Sequence, residues 1–588
     1  MGDTEPNFAT PEDVLAVLEN DTSPSWHQRA DLCRKAALTF AERGDPESVR
    51  RFCAEHKAFS FHARDPEGRG KGARYLRPMF ENGPIAFPDL DAMPDAVLDY
   101  FEARLQAAVN PYLRTRYADI LWERRRRHKH ARAAIEAHLA IMEADGEPGN
   151  HREAAESARR ALSLAFTLRD GKLTEAVVQR TTTVSEGWVE ADSEAYSAVL
   201  IVERILDNKR FGEAEILRRW ANLLKKGLQR ENDRYFRREF LTQLVRVFQR
   251  LGRPDDAHRC RIQIAEDWES EARERESESW LVAGSLYQSA MKVYAEQGQS
   301  DRVEEMKLKA RASYKRAEET EFKTLSVEFR VDMTPWDNQI AEWLKLEPAD
   351  ALRHLAGCRD LIPDWDAAER WTAELQEKGS LSQLIPHVTV DDGRPVSGDL
   401  NEAGHQLENV RRNYRWHVAV TSVLLARTLS PFRERELLSA ESLVGAIEES
   451  PVFPADKIEI IRRGFERYAS GDHTSAIHVL VPHLEDCLRR LLDMLGGVTT
   501  SVRDGKMREK PLDQVLESGE IRRVFALFSD RLWRYFEHVL VAETGLNLRN
   551  DVAHGLLRTD ELNENNANVI VHLYLLLGLL RAEGTEKA

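Results

Sequence analysis

The chain of 588 residues is longer than one hydrophobic core can serve, so it holds several domains or an extended helical array. With 42% apolar and 31% charged residues, it has the composition of a folded globular protein and not of a disordered one. A net charge of −15 excludes general coating of nucleic acid and restricts any RNA contact to a local surface; residues 451–588, with 18 Lys/Arg against 21 Asp/Glu, are nearly neutral and leave −12 on the rest.

Helix formers dominate and strand-like alternation is nearly absent, which predicts an all-α protein. Residues 1–149 read as a helical region interrupted by a loop, because Gly and Pro are dense from Asp65 to Pro88. Within that stretch Gly68-Arg69-Gly70-Lys71-Gly72 lacks the spacing, the trailing Ser/Thr and the preceding strand of a phosphate loop. The densest basic run, Arg124-Arg125-Arg126-Arg127-His128-Lys129-His130, is expected to be a solvated face of a helix beginning near Tyr112, with a track for single-stranded RNA as the second reading.

Between 150 and 329 turn signals recur before an apolar position, at Asp170–Ala176, Asn208–Ala214, Leu251–Ala257 and Gln297–Val303. Their ends lie 38, 43 and 46 residues apart, the spacing of helical-hairpin repeats of tetratricopeptide or HEAT kind. Residues 41–47 read as an earlier, divergent copy. The irregular period keeps a non-repeating helical bundle open.

Residues 330–455 read as a connecting helical module. Its tryptophans (Trp336, Trp343, Trp365, Trp371, Trp416) are expected in the core rather than stacked on bases, and Leu384 to Gly398 predicts a long loop or short hairpin. Pro451-Val452-Phe453-Pro454 ends the module.

The remaining domain, 456–588, begins with a buried stripe: Ile477, Leu480, Val481, Leu484, Leu488, Leu491, Leu492 and Leu495 keep helical spacing. Pro482 is expected to bend this helix or mark its effective start. Glu485 and Arg489, four apart, read first as a surface ion pair and second as a device for orienting Arg549. A charged loop follows from Arg503 to Lys510, then helices near Leu512–Glu517, Ile521–Phe528 and Asp530–Glu543, one from Leu548, and a closing helix over Asn568–Arg581. The most apolar run, Val569 to Leu580, is too short to cross a bilayer, so no membrane association is expected. Five scattered cysteines without a Cys-x-x-Cys pair suggest neither a disulfide framework nor a zinc site, and no cofactor is expected. They fit a cytoplasmic protein, as does the lack of a signal-length apolar stretch over Met1 to Asn20.

The segment from Gly545 to Gly555 carries the chemistry. Asn547 reads as an N-cap, which places Arg549 in the first helical turn and Asn550 and His554 on one face. An arginine at the positive helix end costs roughly 0.3 to 1 kcal/mol, a penalty that a bound phosphate would remove. Similar Arg-to-His spacings at Arg51/His56, Arg125/His130 and Arg467/His473 show that spacing alone is cheap. The distinction lies in the context: an Asn cap, a polar residue after the arginine, an Ala-His-Gly ending and an apolar helix downstream. On the residues alone, a satisfied structural Asn/His pair stands level with a functional one.

The string Arg549-Asn550-x-x-Ala553-His554-Gly555 resembles the signature of HEPN domains, small helical domains of many prokaryotic ribonucleases and toxins. Together with the run Leu480–Arg489, it resembles more narrowly the C-terminal domain of the ER-membrane-associated RNA degradation protein family and its uncharacterised bacterial relatives. The resemblance is specific over about 456–588 and implies a compact helical bundle. It also implies a metal-independent endoribonuclease that cuts single-stranded RNA to 2′,3′-cyclic phosphate and 5′-hydroxyl ends. In that scheme His554 takes the 2′-hydroxyl proton, Arg549 stabilises the phosphorane, Asn550 orients the phosphate or the imidazole, and Asn547, Gly555, Glu485 and Arg489 support them. Such domains pair their motifs across a homodimer, and the company they keep suggests defence or stress response. The rival reading is a helical scaffold whose HEPN-like bundle is catalytically silent; a nucleotide-binding unit beside a nucleotidyltransferase ranks below it. A protein partner or trigger is expected through the N-terminal helices, restraining or targeting the tail.

Overall fold

The computed structural model describes residues 8–23, 25–63, 74–82, 85–144, 151–190, 196–323, 332–380, 389–391, 393–396, 402–503, 505–528 and 530–581. The protein is all-α: the strands among the described residues form only short two-stranded antiparallel ribbons. Two compact units divide the chain, Met1–Ser313 and Tyr314–Ala588, and no described helix is long and apolar enough to cross a membrane.

The first unit contains α1 (Pro11–Asn20), α2 (Trp26–Glu42), α3 (Pro46–Phe59), α4 (Asp95–Ala107), α5 (Pro111–Arg125), α6 (His128–Ala144), α7 (His151–Leu168), α8 (Gly171–Glu190), α9 (Tyr196–Asp207), α10 (Ala214–Arg230), α11 (Arg234–Arg250), α12 (Pro254–Arg275) and α13 (Trp280–Glu296), and the division falls within α14 (Ser300–Thr320). Local chemistry sets many of these starts. Thr10 and Asp13 form a capping box, and Asp45 and Asn110 cap α3 and α5 just before Pro46 and Pro111, whose fixed φ suits a first helical turn.

All four recurring turn signals lie at or just before helix starts, those of α8, α10, α12 and α14. Helices two apart pack on each other, α7 on α9, α9 on α11 and α8 on α10, as stacked hairpins do. Residues 41–47 likewise turn α2 into α3. One continuous core runs from Leu18 to Cys260, without a break near 150.

Two expectations are corrected here. Where a loop was expected over 65–88, the described residues hold two ribbons: β1 (His62–Ala63) with β2 (Leu76–Arg77), and β3 (Phe80–Asn82) with β4 (Ile85–Phe87). Strands this short show no alternation for a sequence pattern to reveal. The Gly68–Gly72 run lies outside the described residues. The basic run is not one helix face but the α5–α6 corner, turned by Arg126 at φ 49°, with Arg126 to Lys129 exposed. Its cations are answered by carboxylates: Arg124 by Asp91, Arg125 by Asp99 and Glu102, Arg126 by Glu123, and Lys129 and the buried His130 by Glu102.

The second unit contains α15 (Thr334–Trp343), α16 (Pro348–Ala356), α17 (Trp365–Glu377), the ribbon β5 (Val390–Asp391) with β6 (Arg394–Pro395), α18 (Glu402–Glu434), α19 (Ala440–Ile447), α20 (Ile458–Ala469), α21 (His473–Met494), the hairpin β7 (Thr500–Arg503) with β8 (Lys506–Glu509), α22 (Leu512–Leu516), α23 (Gly519–Phe528), α24 (Asp530–Leu540), α25 (Leu548–His554) and α26 (Glu564–Leu577). Helix α26 is buried on every side from Ala567 to Leu577 and packs against α16, α18, α19 and α21. Its core extends from Ile340 to Leu580 and includes Val452 and Phe453, so the Pro451–Pro454 break turns the chain inside that core.

Helix α21 starts at His473, capped by Asp472, and runs through Pro482, which therefore marks no start. The predicted stripe is buried except at its last member, Leu495, which follows the helix end and is exposed. The expected charged loop at 503–510 is largely the β7–β8 hairpin, whose second strand is exposed throughout. Among the tryptophans, Trp343 and Trp365 are buried and Trp336 is partly so, but Trp371 and Trp416 are about two-fifths exposed and not core.

Candidate active site

Helix α25 has seven residues and rests on α21 and α24, with Leu548 fully buried as its anchor. The approach to it depends on Gly545. A Cβ there would stand 2.2 Å from the His538 carbonyl oxygen, and the Leu546 N–H donates to that same oxygen at 2.9 Å. Gly555, at φ 66°, closes the helix in the left-handed conformation that glycine adopts cheaply.

Asn547 holds the cap position but does not cap. Its backbone is left-handed (φ 49°), and its side chain instead donates to Asp551 Oδ1 (3.1 Å) and accepts from Asn550 Nδ2 (2.8 Å). The penalty on Arg549 at the positive helix end is likewise met within the chain. Its Nε donates to Glu485 Oε2 (2.7 Å), its Nη2 to Glu485 Oε1 (3.2 Å) and its Nη1 to Asn550 Oδ1 (2.9 Å). A phosphate on the free N–H groups of this helix start is therefore not needed to explain the arginine, and so short a helix offers little dipole for one.

Glu485 is shared. Arg489 Nη2 donates to its Oε1 at 2.6 Å, while Arg489 Nη1 lies 3.4 Å from exposed Glu509 on β8. Burial works to raise the Glu485 carboxyl, but the two guanidiniums outweigh it and hold it below the ordinary value. One half-buried carboxylate thus sits between two guanidiniums, each retaining some exposure. Of the five N–H donors of a guanidinium, three on Arg549 are engaged, and the remainder are free for an anion.

His554 ends the helix and is exposed. It shares a face with Asn550, four residues earlier, but it is five residues from Arg549, about 140° around the axis. Arg549 turns to α21, whereas His554 turns to solvent, so the two do not converge within one chain. The structure thus joins Arg549, Asn550, Asn547, Glu485 and Arg489 in one network and leaves His554 beside it. Sequence reading missed Asp551 and Glu509. The i, i+4 spacing from Asn547 pointed to the first; nothing local pointed to the second. Among the described residues, no group of three or more His, Cys, Asp or Glu side chains is arranged to hold a metal.

A family model described as a domain of unknown function (DUF7380) matches residues 12–176. That span lies wholly in the first unit, whereas this site belongs to the second. No curated protein matches the chain. Among solved structures, a circular tandem repeat protein with novel repeat topology and enhanced subunit contact surfaces aligns over 96% of this chain and 98% of its own, at 13% identity and a TM-score of 0.11. So low a score carries no argument about either fold or function.

Proposed function

We propose that the C-terminal unit is a metal-independent endoribonuclease of HEPN type acting on single-stranded RNA. The observation that carries this reading is the clamp in which Glu485 holds Arg549 and Arg489 together, two cations on one half-buried carboxylate, beside the exposed imidazole of His554. Guanidiniums suit a phosphodiester, and the free donors of Arg549 stabilise the oxygens on which charge develops. His554 accepts the proton of the 2′-hydroxyl, which then attacks the adjacent phosphorus; the P–O5′ bond breaks as the protonated His554 of the second copy gives its proton to the leaving 5′-oxygen, leaving a 2′,3′-cyclic phosphate and a 5′-hydroxyl. The resemblance to HEPN domains pairs two copies of the motif, so the reading includes a homodimer with His554 from each chain. A role in defence or stress response belongs to the same reading.

End-labelled single-stranded RNA incubated with wild type, His554→Ala and Arg549→Ala in chelator tests it. Cyclic-phosphate ends made by wild type alone are expected; equal cleavage by all three, or none by any, overturns it. The engagement of three Arg549 donors within the chain favours a second reading, a helical scaffold in which this network only fixes α25. A dimer that forms in solution without cleaving any RNA selects that reading.

A further inference from the structure

A cavity of 890 Å³ opens in the first unit, with walls from α2, α3, α5, α6 and α7 and from the β1–β2 ribbon. Exposed His27, Arg34, Met79 and Arg152 stand at its rim, while Arg116, Asp119 and His138 form a buried inner wall. Its volume falls in the range of small-molecule sites. All its lining residues lie within the span 12–176 that the family model matches.

The inner wall carries a charge without a counter-ion. Arg116 is 2% exposed, its guanidinium lies 4.1 Å from the Trp26 ring centroid, and its Nη1 donates to the Phe61 carbonyl at 3.1 Å. Its Nη2 is buried without a hydrogen-bond partner. The nearest carboxylate is already claimed: Asp119 takes two hydrogen bonds from Arg160 (2.9 and 2.7 Å) and one from His138 Nε2 (2.9 Å). A second buried guanidinium, Arg29, lies 5.3 Å from the same ring centroid and is paired with Asp21. Two cations share one indole, and of the two only Arg29 has a carboxylate partner. His138, 4% exposed, also leaves its Nδ1 without a partner at the same wall.

A buried, unpaired guanidinium costs several kcal/mol, and native proteins retain such a group where a ligand completes it. Burial draws Arg116 down to about 10, which still leaves it charged at neutral pH. We propose that this cavity binds a small oxyanion, a carboxylate or phosphate, held against Arg116 beside His138. The site is separate from the α25 network and independent of any ribonuclease activity.

Calorimetric titration of the full chain with inorganic phosphate and with succinate, at fixed ionic strength in chloride, tests it. One saturable site per chain is expected for at least one probe, and the arm that binds names the anion class. Arg116→Met should weaken that site about tenfold or more, the loss expected for a charge-assisted pair. Ser157→Trp, which narrows the cavity from its α7 wall and leaves Arg116 in the sequence, should weaken it too and decides the matter if Arg116→Met fails to fold by circular dichroism. No saturable heat from either probe, or binding that survives the variants that fold, overturns the proposal and leaves a cavity filled by water.

Discussion

Glu485 and Arg549, 64 residues apart in sequence, meet in a two-pronged ion pair of 2.7 and 3.2 Å that pins the short α25 to α21. Replacing the carboxylate by an amide leaves two guanidiniums facing each other with one neutral acceptor. Glu485→Gln should cost about 1 to 2 kcal/mol, less than a fully buried pair because both partners keep some solvent. The pH dependence carries a sign. The folded carboxyl sits below its ordinary value of 4.5, so its contribution is complete above that pH and is lost as pH falls through the folded value. The gap between wild type and Glu485→Gln in urea unfolding should therefore be constant from pH 6 to 8 and shrink below pH 4.5.

His554 separates chemistry from stability. It is exposed at the end of α25, so His554→Ala should leave the unfolding midpoint within about 0.5 kcal/mol of wild type. Loss of a general base costs about 10²- to 10⁴-fold in rate. A variant that unfolds like wild type yet makes no cyclic-phosphate product meets both expectations; one that cleaves normally removes His554 from the mechanism.

The two glycines that bracket the motif should respond differently. Gly545→Ala drives a methyl group into the His538 carbonyl, so the strand of chain leading to Asn547 must move. About 1 to 3 kcal/mol should be lost, and cleavage with it, because the Arg549 clamp is displaced. At Gly555 nothing stands within 4 Å, and only the left-handed backbone is penalised. Gly555→Ala should cost about 1 kcal/mol and spare the Glu485 pair. Thermal unfolding together with RNA cleavage distinguishes the two.

The helical character and the hairpin turns were legible because they are local. Asp170–Ala176 and its three successors carry their punctuation within a few residues, and each falls at or just before a helix start. The stripe on α21 was legible for the same reason, up to Leu495, where the helix has already ended. The β7–β8 hairpin was not, since β8 is exposed along its whole length and backbone pairing needs no apolar stripe. At the site, the spacing identified Glu485 and Arg489 as neighbours and suggested a link to Arg549. Whether that link forms depends on α25 docking on α21, a long-range packing event. The same packing turned Asn547 from a cap into a side-chain bridge, by forcing its backbone to the left-handed region. The ion pairs that consume Arg124, Arg125 and Lys129 come from Asp91, Asp99 and Glu102, more than twenty residues away, so the run read as free charge.

The core of the second unit contains a proton-linked weakness at its centre. His572 lies on α26 with no exposure; its Nδ1 is 3.3 Å from the Tyr535 hydroxyl, and its Nε2 is buried without a partner. Burial pushes it down to about 3, and His538 is drawn to about 3 by burial and by the charges of Arg415 and Arg411. The folded unit therefore keeps both rings neutral, while the unfolded chain protonates them as pH falls past 6.5. Between those limits the unfolded state binds more protons, so stability drops with falling pH, by at most about 1.4 kcal/mol per unit for each ring. His572→Gln retains an amide for Tyr535 but cannot titrate. Its unfolding free energy should be flatter than that of wild type between pH 6.5 and 5, a range above the Glu485 transition. Parallel slopes in the two proteins would mean that His572 gains a proton without unfolding the bundle around it.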